Sequence, residues 1–129
     1  MSGKNKIVLI TGACGDIGKS LAFEFARKGY SLALCDLVDE NAASPLVTEL
    51  QKISKVFYQC ADVTDANAME KFVRDAAKEF GGIDVCIANA GIVERGALLE
   101  LSVEAWRRTL DVNLTGSFLT AQSAAREMV

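Results

Sequence analysis

The 129-residue chain has the size of one domain, or of a piece of one, since domains run from ~50 to ~250 residues. Half its residues are hydrophobic and 24% are charged, which predicts a packed core and excludes a disordered chain. The 14 Lys and Arg against 17 Asp and Glu give a net charge of −3, without the basic cluster that nucleic-acid binding requires.

Histidine is absent, so Ser–His–Asp and Cys–His catalysis and histidine-based metal sites are excluded. No apolar run approaches the ~18 residues of a membrane span. Met1-Ser2-Gly3-Lys4-Asn5-Lys6 passes directly into Ile7-Val8-Leu9-Ile10, an apolar stretch too short for a secretory leader. The cysteines, Cys14, Cys35, Cys60 and Cys86, form no CxxC pair and sit in or beside apolar runs. They read as small buried thiols in a reducing compartment, so the expectation is a cytoplasmic protein with no metal site.

In chain order, short apolar runs at 7–11, 31–36, 55–60 and 84–88 read as strands covered on both faces. Segments of helical period separate them. The first helix carries Ile17, Leu21 and Phe25 and ends near Gly29. The second has its face in Leu46, Val47, Leu50 and Ile53, with Pro45 as its first residue and Ser44 as N-cap. The third shows one stripe of Met69, Phe72, Val73, Ala76, Ala77 and Phe80, with Asp65 as N-cap and Gly81-Gly82 as the stop. The last runs from about Ser102 to the C-terminus, with Trp106, Leu110, Leu114 and Phe118 at four-residue spacing. This βαβαβαβα alternation predicts an α/β fold with a parallel sheet and helices on both faces.

The first strand runs into Thr11-Gly12-Ala13-Cys14-Gly15-Asp16-Ile17-Gly18 and then directly into a helix. In that setting Gly12 permits a tight turn, Gly15 lets backbone approach a ligand, and Gly18 allows close helix–sheet packing. The helix N-terminus offers free N–H groups to a pyrophosphate. The alternative is a glycine-rich structural turn. Cys35-Asp36-Leu37 closes the second strand, with Asp36 eighteen residues beyond Gly18. A carboxylate there can accept from both adenosine ribose hydroxyls while repelling a 2′-phosphate; the alternative is a solvated loop acid.

These residues carry a resemblance to the short-chain dehydrogenase/reductase family over essentially the whole chain, with mostly classical-type motifs. The resemblance implies a Rossmann-like doubly wound parallel sheet of strand order 3-2-1-4, incomplete relative to the family. It implies NAD as cofactor, with NADP disfavoured by Asp36. Gly12, Cys14, Gly15, Asp16, Ile17, Gly18, Asp36 and Leu37 are then cofactor residues. Asp62-Val63 after the third strand matches the family's adenine contact, and Asn89-Ala90-Gly91 after the fourth matches its Asn-Ala-Gly signature beside the cofactor. The stretch WRRTLDVNLTG, Trp106 to Gly116, is similar to the family's long helix, with Asn113 at its catalytic asparagine.

The chain departs from the family in three places. Asp16 stands where the commoner TGxxxGxG loop has its middle glycine, so the spacing resembles TGxxGxxG, and Ala88 replaces the Asn often seen before Asn-Ala-Gly. The family's Ser and Tyr-x-x-x-Lys are missing: four residues beyond Tyr30 and Tyr58 stand Leu34 and Asp62. Of the family's catalytic set only Asn113 is present.

Three readings follow. The chain is the NAD(H)-binding half of an oxidoreductase that interconverts an alcohol and a ketone or aldehyde. Otherwise it is a stand-alone nucleotide-binding or interaction module, or a non-binding remnant. The first is favoured because the motifs persist to the last helix. Only the loop at 91–101, with Glu94 and Arg95, offers substrate contacts, and those charges equally suit an exposed loop. Self-association is expected through the fourth-strand edge (Val85, Cys86, Ile87, Ala88) or the final helix, which presents Phe118 and Leu119.

Overall fold

In the computed structural model, which describes residues 6–129, the run at 7–11 becomes β1 (Ile7–Thr11), with all five residues buried. The chain continues through α1 (Asp16–Arg27), β2 (Ser31–Asp36), α2 (Glu40–Gln51), β3 (Val56–Cys60), α3 (Ala66–Phe80) and β4 (Val85–Ile87). It ends in α4 (Val103–Leu110), a π-helical turn (Asp111–Thr115) and α5 (Gly116–Met128). The strands lie in the order β3-β2-β1-β4 and every pair is parallel. The α/β reading and its 3-2-1-4 order therefore hold. The reading of residues 1–5 as free of a leader lies outside the described residues.

Alternation along each strand sends neighbouring side chains to opposite layers. Leu9, Ala33 and Cys35 pack with Met69, Phe72, Val73 and Ala76 of α3, where Phe72 also stacks on Phe57 at 6.3 Å between ring centroids. Val8, Ile10, Leu32 and Leu34 pack on the other face with Ala22 and Ala26 of α1 and Leu50 of α2. β4 is registered on β1 by Asp84, whose N–H donates to Ile7 O at 3.0 Å while its Oδ2 accepts from Ile7 N at 2.8 Å.

The third helix follows its sequence signals. Asp65 caps it, with Oδ1 accepting from Ala68 N at 3.1 Å, and Gly81 ends it at φ 86°. The second does not. It begins at Glu40 rather than Pro45, and its N-cap is Asp39 rather than Ser44, Oδ1 accepting from Ala42 N at 2.8 Å. The Asp39 carboxylate thus starts the helix five residues early, and Pro45 lies inside it. Asn41, whose carbonyl loses its donor, is exposed, as is Pro45, so that carbonyl remains on the solvent side. β3 begins at Val56 rather than Lys55, and β4 covers 85–87 rather than 84–88.

The final helix is also not the single rod expected. Ser102 caps it, Oγ accepting from Ala105 N at 3.1 Å, but the π turn divides it. Its inward side is small: Ala105, Gly116, Thr120, Ser123 and Ala124 are buried. A Cβ on Gly116 would lie 2.6 Å from Val63 Cγ2, so glycine is what lets α5 close on the loop after β3. Trp106, Leu110, Leu114 and Phe118 point to solvent.

Candidate functional site

From β1 the chain moves to β2 on one side, and from β3 it returns across the sheet to β4 on the other. The loops leaving the carboxyl ends of β1 and β4 diverge there, which is where open α/β sheets form their ligand crevice. A cleft of about 560 Å³ opens at that point. Its inner wall is the glycine loop. Gly12 has φ 64°, and a Cβ there would lie 2.8 Å from Ala90 Cα, so only glycine fits where the β1 and β4 loops cross. A Cβ on Gly18 would lie 2.1 Å from Gly12 O, so α1 packs against the loop by lacking one. Gly15 differs: its Cβ would meet only Gly12 O, at 3.6 Å, and the rest of its surroundings are open space.

The first helical-type bond of α1 is Lys19 N to Gly15 O. Among the described residues, the N–H groups of Asp16, Ile17 and Gly18 have no backbone acceptor, and all three residues line the cleft. This is a cradle for an anion, open to close backbone approach at Gly15. Asp16 is exposed and makes no cap bond, so its charge stands at the rim of the cradle.

Asp36 closes β2. Its Oδ2 accepts from Cys14 N at 2.8 Å and its Oδ1 from Leu37 N at 2.7 Å, which fixes the carboxylate while leaving lone pairs for a ligand. Asp62, two residues past the end of β3, forms an Asx turn, with Oδ1 accepting from Thr64 N at 2.9 Å and Thr64 Oγ1 at 2.8 Å. Asn89 holds the β1 and β4 loops together, its Nδ2 donating to Thr11 O at 3.1 Å and Gly12 O at 3.2 Å. Thr11 Oγ1 answers by accepting from Asn89 N at 3.1 Å and Ala90 N at 3.0 Å. Asn113, in the π turn, pairs both side-chain groups with Ile92: Oδ1 accepts from Ile92 N and Nδ2 donates to Ile92 O, each at 2.8 Å.

Twelve of the sequence-designated cofactor residues line this one cleft: Gly12, Gly15, Asp16, Ile17, Gly18, Asp36, Leu37, Asp62, Val63, Asn89, Ala90 and Gly91. Cys14 does not. Its N–H serves Asp36, and partial burial with the nearby Asp36 charge raises its thiol pKa. Asn113 also lies outside the lining and acts on it through Ile92. Ala61 and Ile92, each next to a motif, and Val112, inside the Trp106–Gly116 stretch, complete the wall; none was legible beforehand because each is an apolar residue with no chemical signal of its own. Thr11 was missed as a functional residue, although a hydroxyl at a strand end facing a second loop is a signal for such a tie. The lining holds three carboxylates and no Lys or Arg. Glu94 is engaged by Arg108, whose Nε donates to it at 2.7 Å, so this loop charge braces α4. Among the described residues, no group of three or more His, Cys, Asp or Glu could hold a metal.

The family model for short chain dehydrogenase matches residues 6–129. The short-chain dehydrogenase/reductase eriH of Hericium erinaceus is 34% identical across the whole of this chain, which covers 52% of it. A short-chain type dehydrogenase/reductase from Mycobacterium marinum superposes with a TM-score of 0.94 at 36% identity, over 98% of this chain and 51% of that one. The NADH-dependent reductase A1-R′, solved in complex with NAD, gives a TM-score of 0.87 at 29% identity, over 96% of this chain and 52% of its own. The chain thus spans about half the length of the relatives it matches.

Proposed function

The chain belongs to the short-chain dehydrogenase family, and from that premise we propose that it is the NAD(H)-binding portion of an oxidoreductase that moves a hydride between an alcohol and a ketone or aldehyde. The observation that carries this reading is the joint presence, in one cleft, of an anion cradle at the α1 N-terminus and a fixed carboxylate at the end of β2. The cradle suits a pyrophosphate, and Asp36 suits the two adenosine ribose hydroxyls. Asp62, Val63 and Leu37 border the adenine, while Asn89, Ala90 and Gly91 lie toward the nicotinamide. Bound there, the dinucleotide supplies the hydride.

NAD(H) is favoured over NADP(H). A 2′-phosphate would meet Asp36 at close range in a wall without Lys or Arg to neutralise it. The test is calorimetry with both cofactors. NADH is expected to bind more tightly, and Asp36→Ala to lose about 1–3 kcal/mol of NADH affinity as its charge-assisted bonds go. Equal affinity for the two cofactors in the unmodified chain overturns the assignment.

Asn113 is the one member of the family's catalytic set in the sequence. Both its amide groups hydrogen-bond Ile92, so it orders the loop at the cleft's mouth, and a carboxamide is itself neither an acid nor a base that moves a proton. A nucleotide-binding module without catalysis of its own is the second reading, resting on the commitment of Asn113 to Ile92, and self-association through the β4 edge or the α4–α5 face belongs with either. The four free thiols suit a reducing compartment such as the cytoplasm. No described helix is long and apolar enough to cross a membrane.

A further inference from the structure

The chain passes from β2 to the Asp39 cap of α2 through only two residues, Leu37 and Val38, and side chains of β3 hold both of their carbonyls. Cys60 Sγ donates to Leu37 O at 3.3 Å, and Tyr58 Oη donates to Val38 O at 2.6 Å. The two donors stand at i and i+2, so both leave β3 on one face, and the strand register sets Cys60 beside Asp36 itself. The Asp36 carboxylate lies between the glycine loop and this turn, held by an N–H from each: Cys14 on the loop and Leu37 on the turn.

None of Cys14, Tyr58 and Cys60 lines the cleft. For packing alone a phenyl ring would serve at position 58, where the ring joins the α1–α2 side of the core. What tyrosine adds is the hydroxyl, and it is spent on the turn rather than on water. Repulsion of a 2′-phosphate falls with distance and with solvent screening, so a carboxylate on a freely moving turn discriminates less than one held in place.

We infer that Tyr58 and Cys60 are positioning residues for cofactor selection, fixing from behind the cleft where the Asp36 carboxylate meets the adenosine ribose. The inference rests on the dinucleotide reading above. It assigns selectivity to a strand that contributes no side chain of these two to the ligand wall.

The test compares the unmodified chain with Tyr58→Phe/Cys60→Ala, Cys60→Ala and Cys60→Ser. NADH affinity is measured by calorimetry, NADPH affinity by competition against NADH, and amide exchange of residues 37–39 without ligand. The double variant is expected to lower the NADH-over-NADPH preference roughly five- to tenfold, the worth of one or two net hydrogen bonds. Exchange at residues 37–39 should rise in parallel. Cys60→Ser keeps a donor and should restore the preference that Cys60→Ala reduces, a rescue that a packing role would not produce. If the double variant does not fold, the exposed Cys60 pair reads the same ratio. A preference within twofold of the unmodified value in a folded variant overturns the inference while leaving the dinucleotide reading intact. Failure of the unmodified chain to bind NADH overturns both.

Discussion

At the scale of single residues, the glycine loop separates two kinds of necessity. Gly18→Ala places a Cβ 2.1 Å from Gly12 O, a backbone atom that cannot yield without moving α1. We expect this substitution to cost stability by about 1–3 kcal/mol or more through overpacking, seen as a lower urea midpoint with unchanged slope. Gly15→Ala meets nothing closer than 3.6 Å, and its backbone, at φ −79° and ψ 171°, suits any residue. That variant should keep its urea midpoint within about 0.5 kcal/mol and lose dinucleotide affinity instead. A matched loss of stability in both would show that Gly15 serves the fold rather than a ligand. The sequence spacing alone assigns these roles, because turn, approach and packing each require a glycine at a fixed offset. Cys14 is the opposite case. Its place between two loop glycines suggests ligand contact, but its N–H is taken by Asp36, 22 residues away, and the residue does not line the cleft.

At the scale of elements, legibility follows the range of the deciding interaction. Asp65, Ser102 and Gly81 cap their helices through bonds three or four residues long, and each could be read directly. Asp39 was overlooked because Ser44-Pro45 imitates a start signal, while the true cap satisfies the helix five residues earlier. The π turn could not be read at all. Apolar residues continue at four-residue spacing straight through it, and its Asn113 is tied to Ile92, 21 residues away. Asn113→Ala removes both bonds at once. It should cost about 1–3 kcal/mol, and amide exchange at Ile92 should rise more than in β1. Retained protection at Ile92 would show that the loop is held by other contacts, Glu94–Arg108 among them.

At the scale of the whole molecule, the exposed side of α4 and α5 is the feature that most invites a partner. Trp106, Leu114 and Phe118 are 56%, 67% and 58% exposed, and Val103 and Leu110 extend the stripe. The outer edge of β4 has no paired strand among the described residues. We expect the 129-residue chain to associate with itself, with light scattering showing mass above 13.8 kDa that falls when Phe118 and Leu114 are made polar. A monodisperse monomer at high concentration would count against it. Chemistry is the complementary expectation. Hydride transfer to a carbonyl needs a proton donor worth ~10²–10⁴ in rate, and the cleft lining contains no Tyr, Lys or His. Tyr30 is in the core and Tyr58 is committed to Val38 O. Purified chain should therefore show no steady NADH oxidation across a panel of ketones and aldehydes. Steady turnover, abolished by Asn113→Ala, would place the chemistry in a group not identified in this cleft.

The strand order also governs how the chain can assemble in time. β2 finds its place on β1 across about two dozen residues, whereas Asp84 and Asn89 must reach β1 from 77 and 78 residues away. Closing the longer loop costs only roughly 1 kcal/mol more in chain entropy, but it cannot begin until the later residues have been made. During synthesis, a β1-α1-β2-α2-β3 intermediate would carry Val8, Leu9 and Ile10, from an interior strand of the finished sheet, as its open edge. The strand that is best protected at equilibrium is thus the most vulnerable to wrong pairing while the chain is young, until the arrival of Asn89 closes it through the Thr11 hydroxyl.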